Sequence, residues 1–128
     1  MAVILVIDDD LDGIEPIALM LRAAGYNTAC ASNGQSALEM LSTCKPDLLL
    51  LDLRMPSMDG ISLLLVLRKY LRWAAIPVIV LTAVQFGPEL ERAKDLGVKK
   101  IFVKGTFRLD ELLAAVKDHL PPSALLTS

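Results

Sequence analysis

The 128-residue chain has few of the residues that mark disulfide-rich, zinc-binding or nucleic-acid-binding proteins. It has two cysteines and one histidine, and its net charge is −2. Cys30 and Cys44 fit no metal-binding spacing and are too few for a disulfide framework, so we expect free thiols. Because no predicted helix carries a basic stripe, direct nucleic-acid binding by this segment is not expected.

The chain also lacks a long apolar run, although 54% of its residues are hydrophobic. Charges interrupt the apolar runs before any could span a membrane. No basic segment opens the chain, and Asp8, Asp9 and Asp10 interrupt the first apolar run, so we predict no secretion signal and a cytoplasmic location. The length suits one domain that can bury a core.

Short apolar runs alternate with helical patterns along the chain. Four of the runs predict buried parallel strands, and a weaker run at 28–31 predicts a fifth. Five strands alternating with five helices are typical of an open α/β sheet, here a flavodoxin-like doubly wound (βα)5 fold with strand order 2-1-3-4-5. The four clearer runs are Val3–Ile7, Leu48–Leu51, 78–81 and 101–103.

Capping residues and helix breakers set the predicted helix boundaries. The first helix is predicted to open at Asp12, with Asp10 or Asp12 as its N-cap and Leu11 on its buried face, and to end at Gly25. Asp59 is predicted to cap the third helix, which carries more apolar surface than one buried stripe uses, so some should be exposed or covered by a partner. The other helices are predicted at 34–43, 88–97 and 109–120.

Polar residues follow four of the five predicted strands. Parallel α/β sheets bind ligands outside the carboxyl ends of their strands, and in the order 2-1-3-4-5 these four strands are neighbours. We therefore expect the polar residues to converge on one cleft. They are Asp8, Asp9 and Asp10 after the first strand, Asp52 after the third, Thr82 after the fourth and Lys104 after the fifth.

Carboxylates from two strands in one cleft repel each other, and a divalent cation removes that conflict. Oxygen ligands with spare water positions suit Mg²⁺. Mg²⁺ would lie on one side of the cleft, while Lys104 on the opposite side neutralises negative charge and the Thr82 hydroxyl donates a hydrogen bond. Such a cleft suits a transferring phosphoryl group. Asp52 is then placed as a carboxylate nucleophile.

The strand-end residues and the segments around them resemble the receiver domains of two-component response regulators, of the chemotaxis-regulator kind. The resemblance extends over nearly the whole chain. The resemblance implies a signalling domain that catalyses its own phosphorylation and dephosphorylation and is not otherwise an enzyme. It also implies a receiver domain at 1–121 and a short tail or the start of a linker at 122–128. The matching segments are ILVIDDD at 4–10, 47–52, MPSMDG at 55–60, 77–83 and Lys104.

The resemblance also implies a role for each site residue. Asp52 is the phosphorylation site, and its donor is a phosphohistidine on a sensor histidine kinase or a histidine phosphotransfer protein. The output domain or partner protein is unknown. The implied Mg²⁺ ligands are Asp9 and Asp52 directly, Asp8 through water and the backbone carbonyl of Arg54, while Thr82 and Lys104 hold the phosphoryl group.

Two positions depart from the family pattern. Ile101 stands where the family usually has the Tyr or Phe that moves with the threonine, which puts the usual switch through Thr82 and Ile101 in doubt. Phe102 cannot replace that ring, because neighbouring strand residues face opposite sides. Gly105 stands where the family usually has a proline after a cis bond, and we predict a trans bond here and a loop rebuilt with one extra residue. We also expect Arg54 to shield or compete for the acylphosphate.

Two alternative functions stay open on the sequence alone. One is a phosphohydrolase resembling haloacid dehalogenases, with Asp8 as its nucleophile and Asp10, Thr82 and Lys104 beside it. That alternative leaves Asp52 without a role. The other is a pseudo-receiver that acts only as a protein-interaction module, which the changes at Ile101 and Gly105 allow.

Overall fold

A computed structural model describes residues 2–55 and 58–122 of the chain. Its core is one parallel sheet of five strands in the order β2-β1-β3-β4-β5, which confirms the predicted fold class and strand order. The strands are β1 Val3–Ile7, β2 Asn27–Ala31, β3 Leu48–Leu51, β4 Val78–Thr82 and β5 Lys100–Val103.

The described part of the chain has six helices, one more than the sequence predicts: five lie between strands and the sixth follows β5. The extra helix is a single turn between the third helix and β4. No helix in the described ranges has the length and apolar character needed to cross a membrane. The helices are α1 Leu11–Ala23, α2 Gly34–Cys44, α3 Gly60–Lys69, α4 Leu71–Ala74, α5 Pro88–Asp95 and α6 Leu109–His119.

The sheet separates two apolar layers, and β3 shows how one strand serves both. All four leucines of β3 are fully buried. Leu49 and Leu51 pack with α2, α3, α4 and α5, whereas Leu48 and Leu50 pack with α1 and α6. Alternate strand residues point to opposite faces. A strand with apolar residues on both faces therefore takes the centre of a sheet that helices cover on both sides.

Helix α1 starts one residue earlier than predicted. Asp10 is its N-cap, with Oδ1 accepting a hydrogen bond from Gly13 N at 3.1 Å, which confirms Asp10 and not Asp12 among the two predicted caps. The helix therefore begins at Leu11, and the predicted start at Asp12 was wrong by one residue. Leu11 is 53% exposed rather than buried, and Ile17 lies on the buried face instead. Residues 14, 17, 18 and 21 form one stripe at helical spacing. Leu11 has the spacing of that stripe, but it is the first residue of the helix and precedes the first buried one.

Helix α3 begins as predicted and hides most of its apolar surface. Asp59 caps it by accepting a hydrogen bond from Ser62 N at 2.8 Å. Leu63, Leu64 and Leu67 are fully buried. The apolar surplus on this helix, Ile61, Leu65 and Val66, is partly exposed, as expected.

Cys30 and Cys44 are free thiols, which confirms that prediction. Burial raises the pKa of both thiols above the ordinary value. The two side chains are therefore less reactive than exposed cysteines at neutral pH, since the thiolate is the nucleophilic form.

Candidate functional site

Polar residues at the carboxyl ends of β1, β3, β4 and β5 lie at one edge of the sheet, as the sequence predicts. Asp8, Asp52 and Thr82 are the buried polar side chains among the described residues, with exposures of 1%, 5% and 0%. Asp9 is exposed at the rim. Asp10 caps α1 instead of joining the cluster.

Three carboxylates form an acidic cluster at this edge. Asp8, Asp9 and Asp52 each offer one oxygen, and these oxygens lie within 4.8 Å of one another. Burial raises the pKa of Asp52 above its ordinary range, and the charge of Asp8 raises it further, while Lys104 acts in the opposite direction. An all-oxygen donor set that one lysine only partly neutralises fits Mg²⁺.

Lys104 reaches two of these carboxylates. Its Nζ lies 2.7 Å from Asp8 Oδ2 and 3.6 Å from Asp52 Oδ2. Partial burial lowers the pKa of Lys104, but the hydrogen bond to Asp8 and the charges of both carboxylates outweigh that effect and the pKa rises. Lys104 is therefore a permanent cation at neutral pH.

Thr82 accepts hydrogen bonds from the loop that follows β4 and from Lys104, which follows β5. Its Oγ1 accepts a hydrogen bond from Val84 N at 3.2 Å, and its carbonyl accepts one from Lys104 N at 2.9 Å. A hydroxyl has one proton to donate besides the bonds that it accepts. Among the described residues the Thr82 hydroxyl donates no hydrogen bond, so its proton is available to another partner in the cleft.

Backbone contacts that sequence reasoning missed hold the two buried carboxylates. Asp8 Oδ1 accepts a hydrogen bond from Asp10 N at 2.9 Å, and Asp52 Oδ1 accepts one from Arg54 N at 3.3 Å. Each bond reaches two residues along the chain and fixes the side chain by a local turn. Nothing in the residue types alone shows that these bonds form.

Gly60 lets the start of α3 approach Asp52 and Leu53, the two residues that follow β3. A Cβ at position 60 would lie 2.5 Å from Asp52 O and 2.6 Å from Leu53 Cα. Gly60 N also donates a hydrogen bond to Leu53 O at 2.8 Å. The glycine of the MPSMDG segment thus has a packing role, while Pro56 and Ser57 of that segment lie outside the described residues.

The two departures from the family pattern are visible in the structure. Ile101 is partly buried in the layer of α2, α3, α4 and α5, whereas Phe102 lies in the other layer with its ring 5.0 Å from that of Phe107. Phe102 therefore cannot take the place of an aromatic residue at 101. The Lys104–Gly105 peptide bond is trans, as predicted, and Gly105 has φ 82°.

The side chain of Arg54 leaves the acidic cluster and crosses to α5. Its Nη2 lies 3.2 Å from Glu89 Oε1. The two residues are 35 positions apart in the chain. Sequence reasoning therefore gave Glu89 no role.

Comparison with known proteins identifies the family. The response regulator receiver domain family matches residues 4–117 of the chain. The chain is a response regulator receiver domain. Sporulation initiation phosphotransferase F of Bacillus subtilis is 36% identical over 118 residues, which cover 92% of this receiver domain and 93% of that protein.

A second relative is longer than this receiver domain. DNA-binding response regulator MtrA of Mycobacterium tuberculosis is 35% identical over 117 residues, or 91% of this chain. The match covers 50% of that protein, so the chain spans about half the length of the MtrA relatives.

Solved structures agree with the fold of this receiver domain. Chemotaxis protein CheY4 of Vibrio cholerae superposes with a TM-score of 0.85 at 26% identity, covering 94% of this chain and 99% of that one. The receiver domain of a signal transduction histidine kinase from Syntrophus aciditrophicus superposes with a TM-score of 0.83 at 30% identity, covering 92% and 89%. The family establishes a role in two-component signalling.

Proposed function

We propose that this receiver domain accepts a phosphoryl group on Asp52 from a phosphohistidine donor. The observation that carries the proposal is the placement of Asp52, a buried carboxylate that lies within 4.8 Å of carboxylate oxygens of Asp8 and Asp9 and whose Oδ2 lies 3.6 Å from Lys104 Nζ. Asp8, Asp9, Asp52 and the backbone carbonyl of Arg54 would hold Mg²⁺. The bound ion would neutralise charge on the oxygens of the transferring group.

The residues of the chain divide the transfer among them. An Asp52 carboxylate oxygen attacks the phosphorus, the P–N bond of the phosphohistidine breaks, and its electron pair returns to the imidazole. Lys104 places a positive charge beside the phosphoryl oxygens, and the Thr82 hydroxyl donates a hydrogen bond to one of them. In dephosphorylation, water attacks the phosphorus, the bond between the phosphorus and the Asp52 oxygen breaks, and inorganic phosphate and the free Asp52 carboxylate result.

The proposal also names the phosphoryl donor, the cellular location, the domain boundaries and the kind of output. The donor is a sensor histidine kinase or a histidine phosphotransfer protein, and the location is the cytoplasm, where a kinase finds ATP. Residues 1–121 form the receiver domain and 122–128 a tail or the start of a linker. The phosphorylated domain passes its signal to a partner protein or to an attached output domain and does not itself bind nucleic acid.

Intact mass after incubation with acetyl phosphate tests the proposal. We expect a gain of one phosphoryl group in the parent with Mg²⁺, and none in Asp52→Asn or after chelation. Asp95→Asn, an exposed carboxylate change on α5, serves as the matched control and should behave as the parent does. A gain that survives in Asp52→Asn would favour the phosphohydrolase alternative, and no gain in the parent would favour the pseudo-receiver.

A further inference from the structure

Arg54 begins at the acceptor site but directs its charge away from it. Its backbone N–H donates to Asp52 Oδ1 at 3.3 Å, which fixes the start of the side chain at the mouth of the cleft. The guanidinium instead contacts Glu89 Oε1 at 3.2 Å. Glu89 lies in the first turn of α5, the helix that follows Thr82 and its loop. The pair thus joins the segment after the acceptor to the helix after the threonine.

The Arg54 side chain has space to move. It is 69% exposed and lies between two open cavities. One, of about 500 Å³, is lined by Asp9, Arg54, Asp59 and Glu89 among others. The other, of about 310 Å³, is lined by residues of the Thr82 loop together with Arg54. A guanidinium that is largely exposed and borders open space on two sides can change its rotamer, and Asp9 of the acidic cluster lines one of those spaces.

The contact with Glu89 is also weak enough to be exchanged. Exposed ion pairs contribute little because water screens both charges and two long side chains must be held. A phosphoryl group on Asp52 would bring a more highly charged partner with oxygens spaced for a guanidinium. It would stand close to the residue from which the Arg54 side chain starts. The two anions therefore compete for one cation.

We infer that Glu89 is a positioning residue that holds the Arg54 guanidinium away from Asp52, and that phosphorylation of Asp52 draws Arg54 from Glu89 to the phosphoryl group. This inference rests on the proposed function of Asp52. The exchange frees the first turn of α5 from the acceptor loop. It gives the domain a path from Asp52 to α5 that does not need an aromatic residue at position 101.

The exchange also sets how long the acylphosphate lasts. Hydrolysis requires water to attack the phosphorus while the bond between phosphorus and the Asp52 oxygen breaks. A guanidinium on the phosphoryl oxygens occupies part of the approach of that water. Glu89, by competing for Arg54, shortens the lifetime, and its removal lengthens it.

The half-life of the acylphosphate, followed by intact mass after removal of acetyl phosphate, tests this competition. We expect Glu89→Gln to lengthen the half-life by about two- to fivefold, the range set by the weak energy of an exposed ion pair. Arg54→Ala should shorten it. In the Arg54→Ala background, Glu89→Gln should have no effect, because the side chain for which it competes is gone.

Glu91→Gln is the matched control. Glu91 is an exposed carboxylate in the same first turn of α5 and pairs with Lys94 instead. It should leave the half-life unchanged. An unchanged half-life in Glu89→Gln, an equal change in Glu91→Gln, or a change that persists without Arg54 would each overturn the inference. Phosphorylation of the parent is measured first, so a parent that gains no phosphoryl group refutes the proposed function, and the inference with it, by a separate result.

Discussion

Lys104 Nζ lies 2.7 Å from Asp8 Oδ2 but 3.6 Å from Asp52 Oδ2. Lys104 therefore lies closer to Asp8 than to Asp52, the proposed acceptor. This arrangement gives Asp8 a counter-charge without a metal ion. It also leaves Asp52 the less tightly held of the two carboxylates.

Removing the charge of Lys104 is expected to destabilise the metal-free protein. Lys104→Gln leaves Asp8 buried without its counter-charge, at a cost of about 1–3 kcal/mol in the free energy of unfolding. The loss should be smaller with saturating Mg²⁺, because the cation supplies a counter-charge to Asp8. Urea unfolding with and without chelator measures both values. Lys117→Gln, an exposed change on α6, should have little effect, and an equal loss with and without Mg²⁺ would argue against a metal near Asp8.

Asp52→Asn is expected to raise Tm near pH 7 without Mg²⁺. Burial and Asp8 raise the pKa of Asp52 in the folded state, so its ionised form is disfavoured there and its contribution to stability is lost as pH rises through that pKa. The amide carries no such penalty. A gain of a few degrees is expected, since 1 kcal/mol moves Tm by about 4 °C in a domain of this size.

The same reasoning fixes the pH dependence of that gain. It should vanish as pH falls through the folded-state pKa of Asp52, because the parent carboxyl then becomes neutral as well. It should also shrink when Mg²⁺ is added at pH 7. Thermal unfolding of the parent, Asp52→Asn and the control Asp95→Asn across pH gives the comparison. A lower Tm in Asp52→Asn near pH 7 would show that Lys104 outweighs burial.

Gly60→Ala is expected to damage both folding and the acceptor site. The added methyl carbon would stand 2.5 Å from Asp52 O, a distance that backbone atoms must move to relieve. We expect a loss on the order of 2 kcal/mol and slower phosphorylation by acetyl phosphate. Ser62→Ala, an exposed change in the same helix, is the control. Parent-like stability and phosphorylation in Gly60→Ala would contradict the close approach.

Gly105→Pro is not expected to restore a family-like loop. Proline fixes φ near −65°, whereas Gly105 has φ 82°. The substitution should cost on the order of 2 kcal/mol, and Gly105→Ala about 1 kcal/mol, because a Cβ disfavours the left-handed region. Thermal unfolding measures both costs. A parent-like Tm in Gly105→Pro would mean that the loop can adopt another conformation.

The sheet and the convergence of its polar strand ends could be predicted from sequence. The Leu48–Leu51 run is too short and too apolar for a surface element, which predicts a buried strand. In a parallel sheet the residues at the carboxyl ends of neighbouring strands share one edge for any loop conformation, which places Asp8, Asp52, Thr82 and Lys104 together. The covalent order of the chain and the rule for parallel sheets were enough.

Contacts that depend on three-dimensional distance could not be predicted. The pair of Arg54 and Glu89 joins residues 35 positions apart, and only the packing of α5 brings them together. The short helix α4 has no cap signal of its own and forms where Trp73 enters the core with 8% exposure. Leu11 was misplaced because its spacing to Ile14 and Ala18 fits the buried stripe, whereas its place as the first residue of α1 leaves it 53% exposed.

The position of the phosphoryl group tests the central claim most directly. Borohydride reduces an aspartyl phosphate to homoserine, and tandem mass spectrometry of the digested protein then reads the position of that residue. After treatment with acetyl phosphate and Mg²⁺, homoserine is predicted at position 52, in an amount matching the phosphoryl group seen by intact mass. Homoserine at position 8 or 9 instead of position 52 would contradict the account.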